Sequence, residues 1–227
     1  MKNILITGTS SGLGKFLYKS MPNSVPLKRS NLIEHSKKHF PTIIHCAGSS
    51  EHQSENIILE SEFLLKSILK ISHDRIIFIS TVDIYRDPTS IYSRAKLNCE
   101  EILKKHPHAL ILRSSMIIGP YMRPNHITKL KYGQNIGLSR WSTFNYISVN
   151  VFLRALNSDK FLSAKGTFDF VSTNNIKVNE VKKMLKSNSK TGSYKYISPI
   201  NYQNPIYTHF PDLIFNSEHA IKEMIDA

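Results

Sequence analysis

The chain has 227 residues, 41% hydrophobic and 21% charged, the proportions of one globular domain or of one domain with a small appendage. No apolar run approaches the ~18 residues of a membrane-spanning helix, the N-terminus lacks the pattern of a secretory signal, and Cys46 and Cys99 make neither a disulfide framework nor a metal-binding spacing, which fits a protein of a reducing cytoplasm. The formal charge of +13 is spread over both halves, with 16 Lys/Arg against 10 Asp/Glu in residues 1–113 and 14 against 7 in residues 114–227.

In chain order, Lys2-Asn3 leads into the β-rich run Ile4-Leu5-Ile6, followed at once by Thr7-Gly8-Thr9-Ser10-Ser11-Gly12-Leu13-Gly14. An amphipathic pattern then begins with Leu13, Phe16 and Leu17. This is a strand, a tight turn and a helix N-terminus. The first glycine permits the turn, the second lets a backbone approach a pyrophosphate, and the third lets helix and strand pack closely. Backbone N–H groups at the helix start, with the helix dipole behind them, favour an anion there. A glycine-rich turn also occurs without any ligand, and its position directly after an N-terminal strand is what gives this one weight.

Met21-Pro22-Asn23 breaks the first helix, and Ser24-Val25-Pro26-Leu27 is a short second strand whose proline places it near the sheet edge. Lys28-Arg29-Ser30 follows, where a dinucleotide fold meets the adenosine ribose. No Asp or Glu occurs between Met1 and Glu34, so the acid that would pair with a free 2′-hydroxyl is missing and two cations stand in its place. Arg grips phosphate through parallel hydrogen bonds, which favours NADP, with NAD as the alternative. Lys28 and Arg29 can equally be surface charges on a turn.

A short helix from Leu32 to His39 leads through Pro41 to a buried strand, Thr42-Ile43-Ile44-His45-Cys46, which ends in the small residues Ala47-Gly48-Ser49-Ser50. A helix is expected from about Ser54 to Lys70 and a strand from Arg75 to Ser80. This alternation predicts an α/β fold with a doubly wound parallel sheet, whose ligand binds at the carboxyl ends of the strands. Those ends (Thr7-Gly8, Lys28-Arg29, Ala47-Gly48, Ser80-Thr81) are all small or polar.

Ser80-Thr81-Val82-Asp83-Ile84-Tyr85 precedes Tyr92-Ser93-Arg94-Ala95-Lys96, in which Tyr92 and Lys96 share one helix face. A tyrosine at its ordinary pKa near 10 is a poor acid–base catalyst at neutral pH. A neighbouring ammonium lowers that pKa, and a nearby hydroxyl orients the substrate oxygen. Taken alone, such a Tyr/Lys pair is an ordinary helical pair.

TGTSSGLG, HCAG, IST and YSRAK in this order resemble the short-chain dehydrogenase/reductase superfamily. Arg113-Ser114-Ser115-Met116-Ile117-Ile118-Gly119-Pro120 resembles the R-x5-G-P segment of its extended, sugar-nucleotide-modifying branch. So do ISTVDIY, the Phe144–Val149 segment with its following helix to Leu156, and Thr167–Val171 with the helix from Val178 to Leu185. The resemblance spans residues 2–186. It implies a Rossmann fold with a small C-terminal substrate-binding portion, one domain over 1–227 whose substrate contacts come mainly from 121–145 and 187–227.

It further implies that Tyr92 exchanges the proton of the substrate oxygen, and that Lys96 binds the nicotinamide ribose and depresses the tyrosine pKa. Thr81 is the catalytic hydroxyl, with Ser80 as a neighbour able to replace it. Gly8, Thr9, Ser10, Ser11, Gly12, Leu13 and Gly14 would line the pyrophosphate, Lys28, Arg29 and Ser30 the ribose phosphate, and Cys46, Ala47 and Gly48 the adenosine. Ser114, Ser115, Met116 and Ile117 would lie beside the nicotinamide. Asp83, Arg123, Asn125 and Arg140 are candidates for the substrate. A homodimer through the helices at 54–70 and 92–105, and service in surface polysaccharide synthesis, are implied in the same way.

The chain also departs from the pattern. Its glycines at 8, 12 and 14 have the spacing of the compact branch, and the chain is short for the extended one, mostly in the substrate-binding part. Thr81 is followed by Val82, with Asp83 the one acid nearby, which speaks against the acid pair of a dehydratase.

Within the tail, Tyr121–His126 and Tyr132–Trp141 are expected to be loop and helix around a pocket, Lys186–Gly192 a polar turn, and Tyr194–Phe215 irregular. The last helix, Ser217–Ile225, would be capped by Ser217. His45, His52 and His126 show no metal-ligand spacing. The function expected is an NADP-preferring reductase or epimerase/reductase acting on a nucleotide-linked sugar. The alternatives are a non-catalytic NAD(P)-binding sensor or scaffold and, from the charge alone, a nucleic-acid binder, although Lys37-Lys38, Lys104-Lys105 and Lys182-Lys183 fit solvated helix faces.

Overall fold

The computed structural model describes residues 3–48 and 54–226; Lys2, Ser49, Ser50 and His52 lie outside the described residues. Strand β1 (Ile4–Thr7) leads through the glycine turn to α1 (Gly12–Ser20) and β2 (Ser24–Leu27). A 3-10 turn and α2 (Leu32–His35) carry the chain to β3 (His39–His45), α3 (Asn56–Ile68), β4 (Ser72–Thr81), α4 (Ile91–Leu103) and β5 (Ala109–Ser114). Then come β6 (Met116–Ile118), α5 (His126–Lys131), β7 (Ile136–Leu138), β8 (Thr143–Phe144) and β9 (Tyr146–Ser148). They are followed by α6 (Val149–Leu156), α7 (Asp159–Ser163), β10 (Gly166–Phe170), β11 (Ile176–Lys177), α8 (Val178–Met184), β12 (Thr191–Tyr194) and α9 (Ser217–Ile225).

Six strands form one parallel sheet in the order β2-β1-β3-β4-β5-β10. From β1 the chain steps out to β2, then returns past β1 to β3, so the order reverses between β1 and β3. Open parallel sheets hold their ligands at such a reversal, beyond the carboxyl ends of the strands. Here those ends are Thr7 and His45, which face each other in register.

Continuous apolar strands need cover on both faces. On one face Leu5, Ile43, Ile76, Phe78 and Ile111 pack against Leu65 and Ile68 of α3 and Cys99 and Leu103 of α4. On the other, Ile6, Ile44, Ile77 and Leu112 meet α1, α6 and α7 through Leu17, Phe152 and Phe161. A separate core around Ile127, Leu130, Phe144, Tyr146, Val181 and Ile221 holds the C-terminal portion together. Its strands pair two by two, β6 with β9, β7 with β12 and β8 with β11. The fold is thus a doubly wound parallel sheet with a small C-terminal addition.

As its proline predicts, β2 is an edge strand. The helix expected to run from Leu32 to His39 instead ends at His35, and His39-Phe40-Pro41 open β3. Pro41 is tolerated because it pairs with neither neighbour: β1 begins opposite Thr42, and the register with β4 passes from Phe40 to Thr42. Tyr132–Trp141 contains a strand rather than a helix, because β7 is drawn straight by β12. Gly192 lies so close on Gly137 that a Cβ would collide with its backbone. The cap of α9 is Asn216, whose Oδ1 accepts the His219 amide at 2.7 Å, while the Ser217 hydroxyl donates to the Asn174 carbonyl. Among the described residues no helix is long and apolar enough to cross a membrane.

Candidate active site

The glycine turn is locked by its surroundings. Gly8 and Gly12 have φ of +73° and +63°, where an L side chain is strained. A Cβ on Gly8 would stand 2.9 Å from the Ala47 nitrogen, and one on Gly14 would stand 2.6 Å from both the Thr7 and Gly8 carbonyl oxygens. Thr7 Oγ1 accepts the Ala47 amide at 3.0 Å and hydrogen-bonds His45 Nδ1 at 2.8 Å. Burial pushes the His45 pKa down to about 3, so the imidazole is neutral. These bonds stitch the ends of β1 and β3 together at the reversal point.

The first turn of α1 carries no acid, and the amides of Leu13 and Gly14, like all first-turn amides, lack intrahelical partners. Ser11 is an extended N-cap that makes no side-chain cap bond; Thr9 is half-buried and Ser10 exposed. The Gly12 amide is already engaged, donating to the Tyr121 carbonyl at 2.7 Å. Lys28, Arg29 and Ser30 are exposed at the end of β2, on a turn fixed by the Lys28 amide donating to Asn31 Oδ1 at 2.7 Å. Burial pushes the Cys46 thiol up to about 12, so it stays a protonated packing group. Beside it Gly48 has open space where a side chain would stand.

Thr81 ends β4, and Tyr92 and Lys96 lie on the first turns of α4, which Ser90 caps by accepting the Ser93 amide at 3.2 Å. Thr81 Oγ1 accepts the Asp83 amide at 3.1 Å and hydrogen-bonds the Tyr92 phenol. Tyr92, Lys96, His45, Ala47 and Gly48 line one small cavity of about 20 Å³ with Phe78 of β4, so the end of β3 and the face of α4 meet there.

Two expectations change at this point. Lys96 donates to the Ile79 carbonyl at 2.8 Å, and its ammonium stands 4.9 Å from the Phe78 ring centroid and 5.9 Å from that of Tyr92. Burial lowers its pKa. Tyr92 is pushed up to about 12, by burial first and by the charge of Asp83 second, against the Thr81 hydrogen bond. Its phenol is a neutral proton donor, not a depressed one. Ser80 does not join the site: neighbouring strand residues point to opposite faces, and Ser80 donates to Glu100 Oε1 at 2.5 Å.

Glu100 is fully buried and receives Arg113 through Nε at 3.2 Å and Nη2 at 2.7 Å. Arg113 Nη1 donates to the Tyr85 hydroxyl, which donates in turn to Asp169 Oδ1, both at 2.8 Å. Sequence reasoning missed Glu100, although it lies four residues beyond Lys96 on the same helix face. It also missed Tyr196, whose hydroxyl donates to Asp83 Oδ1 at 2.7 Å under the Arg86 guanidinium; no local signal links residues so far apart.

Of the other candidates, Asn125 caps α5 by accepting the Ile127 and Thr128 amides at 2.9 and 3.1 Å. Arg123 is exposed, and Arg140 lies 4.9 Å over the half-exposed Trp141 ring. Ser114 donates to the Ser115 carbonyl at 3.0 Å, and the buried Ser115 hydroxyl has no hydrogen-bond partner among the described residues. Met116 and Ile117 are half-buried in β6. An open groove of about 300 Å³ runs between α5 and β7, lined by Asn125, His126, Lys129, Leu138 and Tyr194.

No protein-family model and no curated protein sequence matches the chain. Solved structures do. MoeE5 in complex with UDP-glucose and NAD is similar with a TM-score of 0.80 and 16% identity, covering 99% of this chain and 97% of that one. ADP-L-glycero-D-manno-heptose-6-epimerase of Helicobacter pylori has a TM-score of 0.79 at 16% identity, covering 99% and 95%. dTDP-4-dehydrorhamnose reductase of Bacillus anthracis, in complex with NADP, has a TM-score of 0.76 at 16% identity, covering 99% and 98%. At this identity the likeness shows a shared fold.

Proposed function

We propose that the chain is an NADP-preferring reductase or epimerase/reductase of the extended short-chain dehydrogenase/reductase type, acting on a nucleotide-linked sugar. The observation that carries this reading is that Tyr92 and Lys96 line one cavity with Ala47 and Gly48 at the end of β3, while Thr81 hydrogen-bonds the Tyr92 phenol. The solved structures similar in fold are named as sugar-nucleotide epimerases, dehydratases and reductases, which supports the same class.

The residues fit a dinucleotide. Gly14 lets α1 bring its first-turn amides up to the strand end, Lys28 and Arg29 replace the ribose acid, and the unpartnered Ser115 hydroxyl offers a polar contact. When bound, the nicotinamide exchanges a hydride with a sugar carbon. The chain's own part is proton handling: Tyr92 gives its phenolic proton to the sugar oxygen, and Thr81 holds the phenol in place. The groove at α5 and β7 has the size and the lysine for a nucleotide diphosphate. Leu59 and Phe63, exposed on α3 beside α4, support a homodimer through these helices.

Fluorescence titration with NADPH and NADH, followed by NADPH oxidation against a panel of nucleotide keto-sugars, tests the reading. NADPH is expected to bind more tightly than NADH. Tyr92→Phe should abolish turnover while leaving NADPH affinity within a few-fold; full turnover in that variant would sink the assignment.

A further inference from the structure

The segment after β6 crosses the mouth of the glycine turn. The Gly12 amide, one of the few donors that the turn can offer an anion, is spent on the Tyr121 carbonyl at 2.7 Å. Tyr121 makes that contact at φ +64°, a left-handed conformation disfavoured for any residue with a Cβ, and most of all for bulky ones. Lys15, one turn into α1, is drawn over the Tyr121 ring at 5.0 Å from its centroid. The Met122 sulfur lies 3.9 Å from where a Gly12 Cβ would stand. A backbone hydrogen bond, a cation–ring contact and a side-chain contact therefore hold a strained residue against the anion-binding turn. Strained residues held in this way are found at switch regions, where release of the contact also releases the strain.

We propose that Tyr121-Met122 is a strap that closes the diphosphate cradle by occupying the Gly12 amide, and that it must lift for a dinucleotide to dock fully. This rests on the reading of the glycine turn as the cofactor site. The strap's carbonyl oxygen would face a diphosphate oxygen across one N–H, and two acceptors cannot share that donor at full strength. Lifting frees the amide, lets Tyr121 relax to negative φ, and frees the Lys15 ammonium for the anion.

Two variants isolate the backbone. Tyr121→Gly and Tyr121→Ala both lose the ring and its contact with Lys15, and they differ in the cost of holding a left-handed residue, which glycine bears freely and alanine does not. The closed strap is therefore favoured by glycine. NADPH is expected to bind the alanine variant about fivefold more tightly than the glycine variant, with the difference mainly in the association rate. In free protein the Gly12 amide should exchange with deuterium faster in Tyr121→Ala than in Tyr121→Gly. Equal NADPH affinities and equal Gly12 exchange in the two variants overturn the strap and leave the cofactor site standing. Absence of NADPH and NADH binding by the wild type and both variants overturns the cofactor reading and the gating role with it, even if Gly12 exchange still differs.

Discussion

His45 and His126 are neutral inside the folded chain, held by burial at pKa values of about 3 and about 4 against an ordinary 6.5. His45 Nδ1 lies 2.8 Å from the Thr7 hydroxyl, and His126 Nε2 lies 2.7 Å from the Tyr146 hydroxyl. Because both folded values are depressed, the unfolded chain gains protons below pH 6.5 that the folded chain cannot take up. Stability is therefore full well above pH 6.5 and is lost as pH falls through it, by about 3 kcal/mol for the pair between pH 6.5 and 5. Urea denaturation at pH 7 and pH 5 checks this. Asn at either position should remove about half of the pH-dependent drop, and an unchanged midpoint between the two conditions contradicts it. In the sequence His45 is one residue of an apolar run; its neutrality comes from burial, and its hydrogen-bond partner, Thr7, is 38 positions away.

Helix α4 carries Tyr92, Lys96 and Glu100 at successive i, i+4 positions, each assigned a task by the strand beneath it. Thr81 meets Tyr92, the Ile79 carbonyl meets Lys96, and Ser80 with Arg113 meets Glu100. The helix is thereby pinned at three heights, which sets where the phenol stands. The Glu100–Arg113 pair is buried, so removing one partner leaves an uncompensated charge. Glu100→Ala is expected to cost about 3–5 kcal/mol, and Glu100→Ala with Arg113→Met to be clearly less damaging than Glu100→Ala alone. Urea denaturation of the single and double variants decides this, and additive losses contradict it. The helix and its Tyr/Lys face are legible from spacing and from family resemblance. The Glu100 partnership is not, because Arg113 is brought under it by the β4–β5 register.

For the molecule as a whole, the sheet has the six strands of the 3-2-1-4-5-6 order of a full dinucleotide fold but distributes them differently, with one fewer beyond β1 and one more, β10, at the far edge. A single strand, β2, lies beyond β1, and the chain crosses back through the short α2. The reversal between β1 and β3, which places the cleft, survives that loss. On the opposite side of the sheet from α1, Leu59 and Phe63 of α3 are 69% and 74% exposed, four positions apart on one face. A homodimer through α3 and α4 would cover them. Phe63→Asp should turn the dimer into a monomer in sedimentation velocity without changing the circular dichroism spectrum. A monomeric wild type, or a dimer that survives the substitution, removes this interface.

By itself the sequence determined the order of strands and helices from β1 to α4, the glycine turn, the edge position of β2 and the Tyr92/Lys96 face. Each of these follows from local periodicity, from the steric freedom of glycine or from the missing N–H of proline. Only the tertiary structure decided which side chains those elements serve. It turned Ser80 away to Glu100 and aimed Lys96 at a carbonyl. It brought Tyr196 from the tail to Asp83 and laid Tyr121 across the Gly12 amide. Those outcomes depend on strand register and on contacts between residues tens of positions apart, where burial sets charge and one hydrogen bond excludes another. The first glycine makes the turn and the third packs helix on strand, as the motif foretells; the role of the second is decided by the strap that covers it.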